Sequence, residues 1–193
     1  MLPSLAPGPC GQCLQRPPPQ QQTHSLFIYH GTVRQALLAW KLQGQAAGLL
    51  WLLKTAQPNL KAIFSAHDLL LPVPMPLQRM RRSGLHHSAD LCKHIASLTG
   101  ARVDWEILRR KGHNLRQSSL KGKARQNNLR KAFILSNDYQ ERLKQHHTKG
   151  KIWVIDDILT TGATLRHACQ TMRHTHSPVF AFSMARTLKD EQE

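Results

Sequence analysis

Acidic residues are scarce in this 193-residue chain. It has 11 Asp and Glu residues against 27 Lys and Arg residues, which gives a formal net charge of +16. No acidic residue precedes Asp68, and none lies between Glu106 and Asp138, where nine Lys or Arg residues fall. Such a charge attracts polyanions, either nucleic acid or a phosphorylated small molecule, but charge alone does not separate these partners from a solvated basic surface.

Long apolar runs are also missing. The stretch 46–53 is too short to cross a bilayer, and residues 1–10 contain no basic region followed by an apolar stretch. We therefore expect a cytoplasmic protein without membrane insertion.

Only four cysteines occur, and Cys10 and Cys13 form a C-x-x-C pair. In a cytosolic protein such a pair indicates half of a Zn²⁺ site rather than a disulfide framework, with two further ligands required.

The rest of the chain alternates between strand and helix patterns. Residues 1–23 hold the cysteine pair and a Pro- and Gln-rich linker, so we assign one domain to residues 24–193. Helical spacing predicts helices that include 33–40, 45–56 and 85–96, the second ended by Pro58; Trp40 and Trp51 are expected in the core. Strand candidates are 25–29, 68–73, 103–108, 133–135, 151–157 and 179–184. This order predicts an α/β fold with a mainly parallel central sheet flanked by helices.

The clearest functional pattern spans residues 152–164. A buried strand ends in Asp156 and Asp157, at the edge where open α/β sheets bind ligands. A hydroxyl-rich turn then opens a helix, whose first amides can hold an anion. Two carboxylates for a diol, beside an anion site, match a ribose 5-phosphate. The turn consists of Thr160, Thr161, Gly162, Ala163 and Thr164.

This segment resembles the 5-phosphoribosyl-1-diphosphate binding motif of type I phosphoribosyltransferases. The resemblance implies that fold, with Asp156 and Asp157 facing the ribose 2- and 3-hydroxyls and the turn 160–164 holding the 5-phosphate. Mg²⁺ is the expected cofactor, bound with the diphosphate of the ligand. An enzyme of this kind displaces pyrophosphate from the anomeric carbon with a base or an amine.

More of the chain is similar to the ComF/GntX family, a phosphoribosyltransferase-like group linked to DNA uptake and use. Residues 9–19 resemble the end of that family's zinc-binding segment. The family's first helix is matched by Tyr29, Val33, Leu37, Lys41 and Leu42. Its pyrophosphate-side loop and basic helix start are matched by residues 71–74, with Val73 and Pro74, and by Arg79 and Arg82. Its Q-x-x-L…R-x-x-N…A-F pattern is matched by Gln117, Leu120, Arg125, Asn128, Ala132 and Phe133.

The chain departs from the family in two places. The family usually begins with further cysteine pairs, and only the last is present, so either the start codon is misplaced or the zinc finger has decayed. Where the family has R-R-x-G-F-N-Q, this chain reads R-R-S-G-L-H-H over residues 81–87, and any contacts of the Phe, Asn and Gln side chains are lost.

Two functions remain open at the level of sequence. The chain is either a phosphoribosyltransferase acting on phosphoribosyl diphosphate or a nucleotide-like molecule, or a non-catalytic protein on the same fold that acts with single-stranded DNA or competence proteins. The basic region 109–131 fits a hood over a substrate, a nucleic-acid contact or a solvated face.

Overall fold

A computed structural model describes residues 14–15, 17–111, 132–146 and 149–188 of the chain. The strands are β1 (Thr23–Ile28), β2 (Leu69–Pro72), β3 (Arg102–Val103), β4 (Leu108–Arg110), β5 (Phe133–Leu135), β6 (Ile152–Leu159) and β7 (Val179–Arg186). The helices are α1 (Gly31–Gln43), α2 (Ala47–Thr55), α3 (Gln57–Ile63), α4 (Leu77–Ser83), α5 (His87–Thr99), α6 (Tyr139–Gln145) and α7 (Ala163–Met172). A 3-10 turn, Arg173–Thr175, follows α7.

Five strands form one sheet in the order β1-β7-β6-β2-β3, and every neighbouring pair is parallel. Strands β4 and β5 form a separate antiparallel pair. The predicted α/β fold with a mainly parallel sheet flanked by helices is confirmed, and it is compatible with the phosphoribosyltransferase fold.

The sheet separates two hydrophobic clusters, and β6 supplies residues to both. On one face Trp153 and Ile155 pack with residues of α1, α2, α3 and α5, including the fully buried Trp40. On the other face Ile152 and Val154 pack with α7 and with the β4–β5 pair. A strand that is covered on both faces needs apolar residues at every position, which explains the continuous run before Asp156.

One boundary prediction is confirmed and one was wrong. The helix expected over 45–56 ends at Thr55, before Pro58, as predicted; a new helix, α3, then begins with Pro58 in its first turn, where the missing N–H has no partner to lose. The strand expected at 103–108 is divided, since the Asp104 carboxylate accepts hydrogen bonds from the amides of Glu106 (2.7 Å) and Ile107 (3.0 Å). The resulting turn ends β3 and begins a hairpin that leaves the main sheet.

The two tryptophans expected in the core behave differently. Trp40 is buried, as predicted, but Trp51 is 62% exposed on α2. Helical spacing placed Trp51 beside apolar residues, yet the buried face of α2 is formed by Leu49, Leu52 and Leu53. Within the described ranges, no helix is long and apolar enough to cross a membrane.

Candidate functional site

The candidate site lies at the carboxyl edge of the parallel sheet. Pro72 at the end of β2 is in register with Ile155 of β6, and the Val73 amide donates a 2.8 Å hydrogen bond to the Ile155 carbonyl. The loop that begins with Val73 and Pro74 is therefore beside the acidic pair that follows Ile155. The side chain of Val73 itself is buried in the hydrophobic core.

Asp157 is held by contacts at both carboxylate oxygens. Its Oδ2 is 2.8 Å from the Nζ of Lys41 on α1, and its Oδ1 accepts a 2.7 Å hydrogen bond from the Ile158 amide. Sequence reasoning placed Lys41 only in a helix pattern and assigned it no role at the site. The sequence did contain a signal for such a role. Val33, Leu37 and Lys41 are spaced four residues apart, so a charged residue lies on the same helix face as two apolar residues.

Asp156 is contacted at one carboxylate oxygen. Its Oδ1 accepts hydrogen bonds from the Asp157 amide (2.9 Å) and from the hydroxyl of Ser88 on α5 (3.2 Å). Burial, followed by the neighbouring Asp157 carboxylate, raises the pKa of Asp156 to about 7, while Ser88 and Lys41 act in the opposite direction. Asp156 is therefore partly protonated at neutral pH.

The turn after β6 has the geometry of an open helix start. Thr160 and Thr161 are exposed, and Gly162 has a φ of 73°, a left-handed conformation that glycine adopts without strain. Gly162 is the N-cap of α7, and no described side chain caps that helix; the Thr161 hydroxyl is 3.4 Å from the Ala163 amide. The first turn, which includes Thr164, thus presents amides that can bind an anion.

The start of α5 adds histidines to the rim. His86 Nδ1 is 3.1 Å from the Ala89 amide, and its Nε2 is 3.2 Å from the Met75 amide. A neutral imidazole has only one acceptor nitrogen, so His86 accepts one of these hydrogen bonds at a time. Burial lowers the pKa of His86, which favours the neutral ring. His86 thereby connects α5 to the loop after β2.

His87 is 4% exposed, and its ring packs edge-on against Trp40 at a centroid distance of 5.0 Å. Neither ring nitrogen has a hydrogen-bond partner among the described residues. Burial lowers the pKa of His87, although the Asp157 carboxylate opposes that change. From the sequence, the segment 85–88 stood out only for the family side chains that it lacks. The structure places this segment beside the acidic pair.

Several of the predicted residues, or their side chains, lie outside the described part of the structure. Arg79 and Arg82 belong to α4, which follows the loop after β2, but their side chains lie outside the described part of the structure. Cys10, Cys13 and the basic segment 112–131 also lie outside it, including four of the predicted pattern residues. Those four are Gln117, Leu120, Arg125 and Asn128.

The described residues do not form a ready-made metal cage. Within them, no group of three or more His, Cys, Asp or Glu side chains is placed to hold a metal ion. The donor set fits Mg²⁺ only as an ion carried by the diphosphate of a ligand, which keeps most of its coordination from phosphate and water oxygens. A Zn²⁺ site at Cys10 and Cys13 stays a prediction.

A cavity of about 550 Å³ occurs at the opposite, amino edge of the sheet. It is lined in part by Lys144 of α6, Ile152 at the start of β6 and His176 after α7. The acidic pair and the turn 160–164 do not line this cavity. They form an open rim at the other end of β6.

Comparison with known proteins agrees with the sequence resemblance. The chain is 27% identical over 186 residues to the DNA utilization protein YhgH of Escherichia coli K12, an alignment that covers 93% of this chain and 78% of that protein. It is 29% identical over 196 residues to the Salmonella typhimurium protein of the same name, with 97% and 82% covered. Competence protein F of Haemophilus influenzae is 27% identical over 176 residues, with 85% and 72% covered. The resemblance to the ComF/GntX family is confirmed.

These relatives align along nearly the whole chain, so the aligned region spans both β6 and the turn before α7. No family model matches the chain.

Proposed function

We propose that this protein binds phosphoribosyl diphosphate, or a related ribose 5-phosphate ligand, and acts in DNA uptake (competence) or in the use of DNA as a nutrient. The observation that supports it is the junction of β6 and α7. There, two carboxylates lie in the second half of β6, which continues to Leu159, and a short turn then leads to a helix start that no described side chain caps. This arrangement presents acceptors for a diol next to donors for a phosphate.

Each part of the junction has a chemical role in this proposal. Carboxylate oxygens of Asp156 and Asp157 accept hydrogen bonds from the ribose hydroxyls. The amides and hydroxyls of the turn 160–164 bind the 5-phosphate. The loop at Val73 and Pro74, with Arg79 and Arg82 on the helix that follows, faces the diphosphate, and Mg²⁺ enters with that group.

The biological part of the proposal comes from the relatives and from charge. Curated relatives along most of the chain are named DNA utilization protein and Competence protein F. A net charge of +16 suits a protein that works beside polyanions. Both observations support a role in handling DNA.

If the protein is an enzyme, the site favours pentosyl transfer. The bond between the anomeric carbon and the pyrophosphate oxygen would break, and a nitrogen nucleophile would bond to that carbon with loss of its proton. Preorganised positive charge around the diphosphate would stabilise the leaving group.

A second candidate function is the binding of single-stranded DNA, or of a competence protein, without catalysis. The observation that favours DNA is Trp105, which is 55% exposed with Lys93 Nζ 5.4 Å from its ring centre. The adjacent strand β4 carries Arg109 and Arg110. Aromatic side chains beside basic groups suit stacking of bases along a charged strand.

Ligand binding is tested by calorimetry and thermal unfolding with phosphoribosyl diphosphate and Mg²⁺. We expect stabilisation of the unsubstituted protein and a 10- to 100-fold weaker affinity, as a rough estimate, for Asp157→Asn, because a charged acceptor of a ribose hydroxyl is removed. Asp138→Asn is the control, since Asp138 is an exposed carboxylate at the start of α6. Equal affinity in Asp157→Asn would contradict the assigned ribose site.

Two further assays separate the candidate functions. Pyrophosphate release from phosphoribosyl diphosphate, measured with a panel of bases, identifies a transferase. A salt titration of single-stranded DNA binding tests the basic surface, and a slope near zero counts against it.

A further inference from the structure

We infer that Lys41 is a positioning residue of the sugar-phosphate site, whose ammonium allows the two adjacent carboxylates of β6 to accept hydrogen bonds from ligand hydroxyls at the same time. This inference rests on the proposed function above. It assigns a role to a residue of α1, which is remote in sequence from the motif 152–164.

The geometry joins Lys41 directly to the acidic pair. The Nζ–Oδ2 distance to Asp157 is 2.8 Å, with the two side chains 28% and 12% exposed. Lys41 lies in the last turn of α1, and the neighbouring Trp40 is buried against the sheet. Its charge is therefore carried to the rim by a helix that is anchored in the core.

Lys41 does not use up the acceptor capacity of Asp157. An ionised carboxylate has about four acceptor positions. One is occupied by Lys41 and one by the Ile158 amide. The rest are sufficient for a ribose hydroxyl, so the ion pair and the ligand are compatible.

The acidic pair needs such a cation because, among the residues whose side chains the structure describes, its other neighbours supply little positive charge. The α5 side chains around the pair are His86, His87, Ser88, Asp90 and Cys92. Burial lowers the pKa of His86 and His87, so both rings are mainly neutral at pH 7. The flanking strands place uncharged residues nearby, Pro72 on β2 and Ser183 on β7.

Charge removal at position 41 has a defined effect on Asp156. Its pKa of about 7 already includes a lowering by Lys41. Without that ammonium, a larger fraction of Asp156 is protonated at neutral pH. A protonated carboxyl group donates through one oxygen and loses part of its acceptor capacity, so it competes poorly for a diol that must itself donate.

The test is the affinity for phosphoribosyl diphosphate with Mg²⁺, measured by calorimetry between pH 6 and pH 9. We expect Lys41→Met to bind about tenfold more weakly than the unsubstituted protein at pH 7, with the difference decreasing towards pH 9 as Asp156 ionises. Lys41→Arg should retain most of the affinity. Lys54→Met on α2 is the matched control, since Lys54 is exposed and forms no part of the rim.

If Lys41 served only to link α1 to β6, the expected result would differ. Its loss would then lower the unfolding temperature and weaken binding by the same factor at every pH, and that result would overturn the inference. Unchanged affinity in Lys41→Met would overturn it as well. If Lys41→Met does not fold, Lys41→Gln replaces it, because glutamine keeps a hydrogen-bond donor without the charge. The same dependence of the affinity loss on pH is expected of this variant.

The two proposals fail in different ways. If the unsubstituted protein does not bind the ligand at any pH, the proposed function is wrong, and the role of Lys41 falls with it. If the unsubstituted protein binds and the lysine variants bind equally well, only the role of Lys41 is wrong.

Discussion

The indole Nε1 of Trp153 donates a 3.0 Å hydrogen bond to Oδ2 of Asp68, a carboxylate that is only 3% exposed. Asp68 Oδ1 accepts from the Lys151 amide (2.9 Å) and from the Ser65 hydroxyl (3.0 Å). These contacts join the start of β6 to the turn before β2. Because both strands carry the candidate site at their other ends, the contacts fix the relative position of its two halves.

Gly150→Ala should disrupt this junction. A Cβ at position 150 would lie 2.4 Å from Asp68 Oδ1 and 2.5 Å from the His67 carbonyl oxygen, closer than carbon and oxygen can approach. We expect the free energy of unfolding to fall by about 1–3 kcal/mol, because the backbone must move to relieve the overlap. Urea denaturation measures the loss. The exposed neighbour Lys149→Ala is the control, and a result within about 0.5 kcal/mol of it would contradict the prediction.

Asp156→Asn should stabilise the protein in a pH-dependent way. The pKa of Asp156 is raised from 3.8 to about 7, so the folded chain binds this proton more tightly than the unfolded chain does. Its contribution to stability is therefore present at low pH and is lost as the pH rises between about 4 and 7. The variant should match the unsubstituted protein near pH 4 and exceed it at pH 8 by on the order of 2–4 kcal/mol.

Thermal unfolding across this pH range provides the measurement for Asp156→Asn. Asp138→Asn supplies a control of opposite sign: the nearby side chains of Ser136 and Arg142 lower the pKa of Asp138, so this substitution should not stabilise the protein at pH 8. Equal stability of Asp156→Asn and the unsubstituted protein at pH 8 would show that burial does not destabilise the ionised form of Asp156.

Arg142→Met should loosen the β4–β5 hairpin. Arg142 on α6 pairs with Asp104 (3.2 Å) after β3, with Asp138 (2.8 Å) and with Glu106, which links the hairpin base to the main sheet. Because the Arg142 side chain is 27% exposed, solvent screening limits the cost, and we expect a modest fall in the unfolding temperature. Hydrogen exchange should also accelerate in β4 and β5. Arg109→Met removes a single exposed pair and is the control; equal effects would argue against Arg142 as the link.

Much of the site could be predicted from local sequence because its central part is contiguous. A buried strand, two aspartates and a Thr- and Gly-containing turn follow one another over 152–164, and their geometry depends on short-range rules. The carboxyl edge of the sheet follows equally from the alternation of strands and helices. These features need no knowledge of which distant segments meet.

Lys41 and His87 could not be assigned to the site in the same way. Their positions depend on how α1 and α5 pack on one face of β6, and helical periodicity gives the buried face of a helix without its partner. Trp51 shows that periodicity alone does not settle which residues are buried. A large apolar residue can lie next to the buried face of a helix and still be exposed. The hairpin was missed because a single carboxylate, that of Asp104, redirects the chain through hydrogen bonds to two amides.

The position of β6 in the sheet has a consequence for how the acidic pair can move. It is the middle one of five parallel strands, with β7 and β1 on one side and β2 and β3 on the other. A strand in that position opens only when the whole sheet opens. The carboxylates are thus carried by a strand that is hydrogen-bonded on both sides. Among the described residues, adjustment to an arriving ligand is left to the turn 160–162, the loop after β2 and the side chain of Lys41.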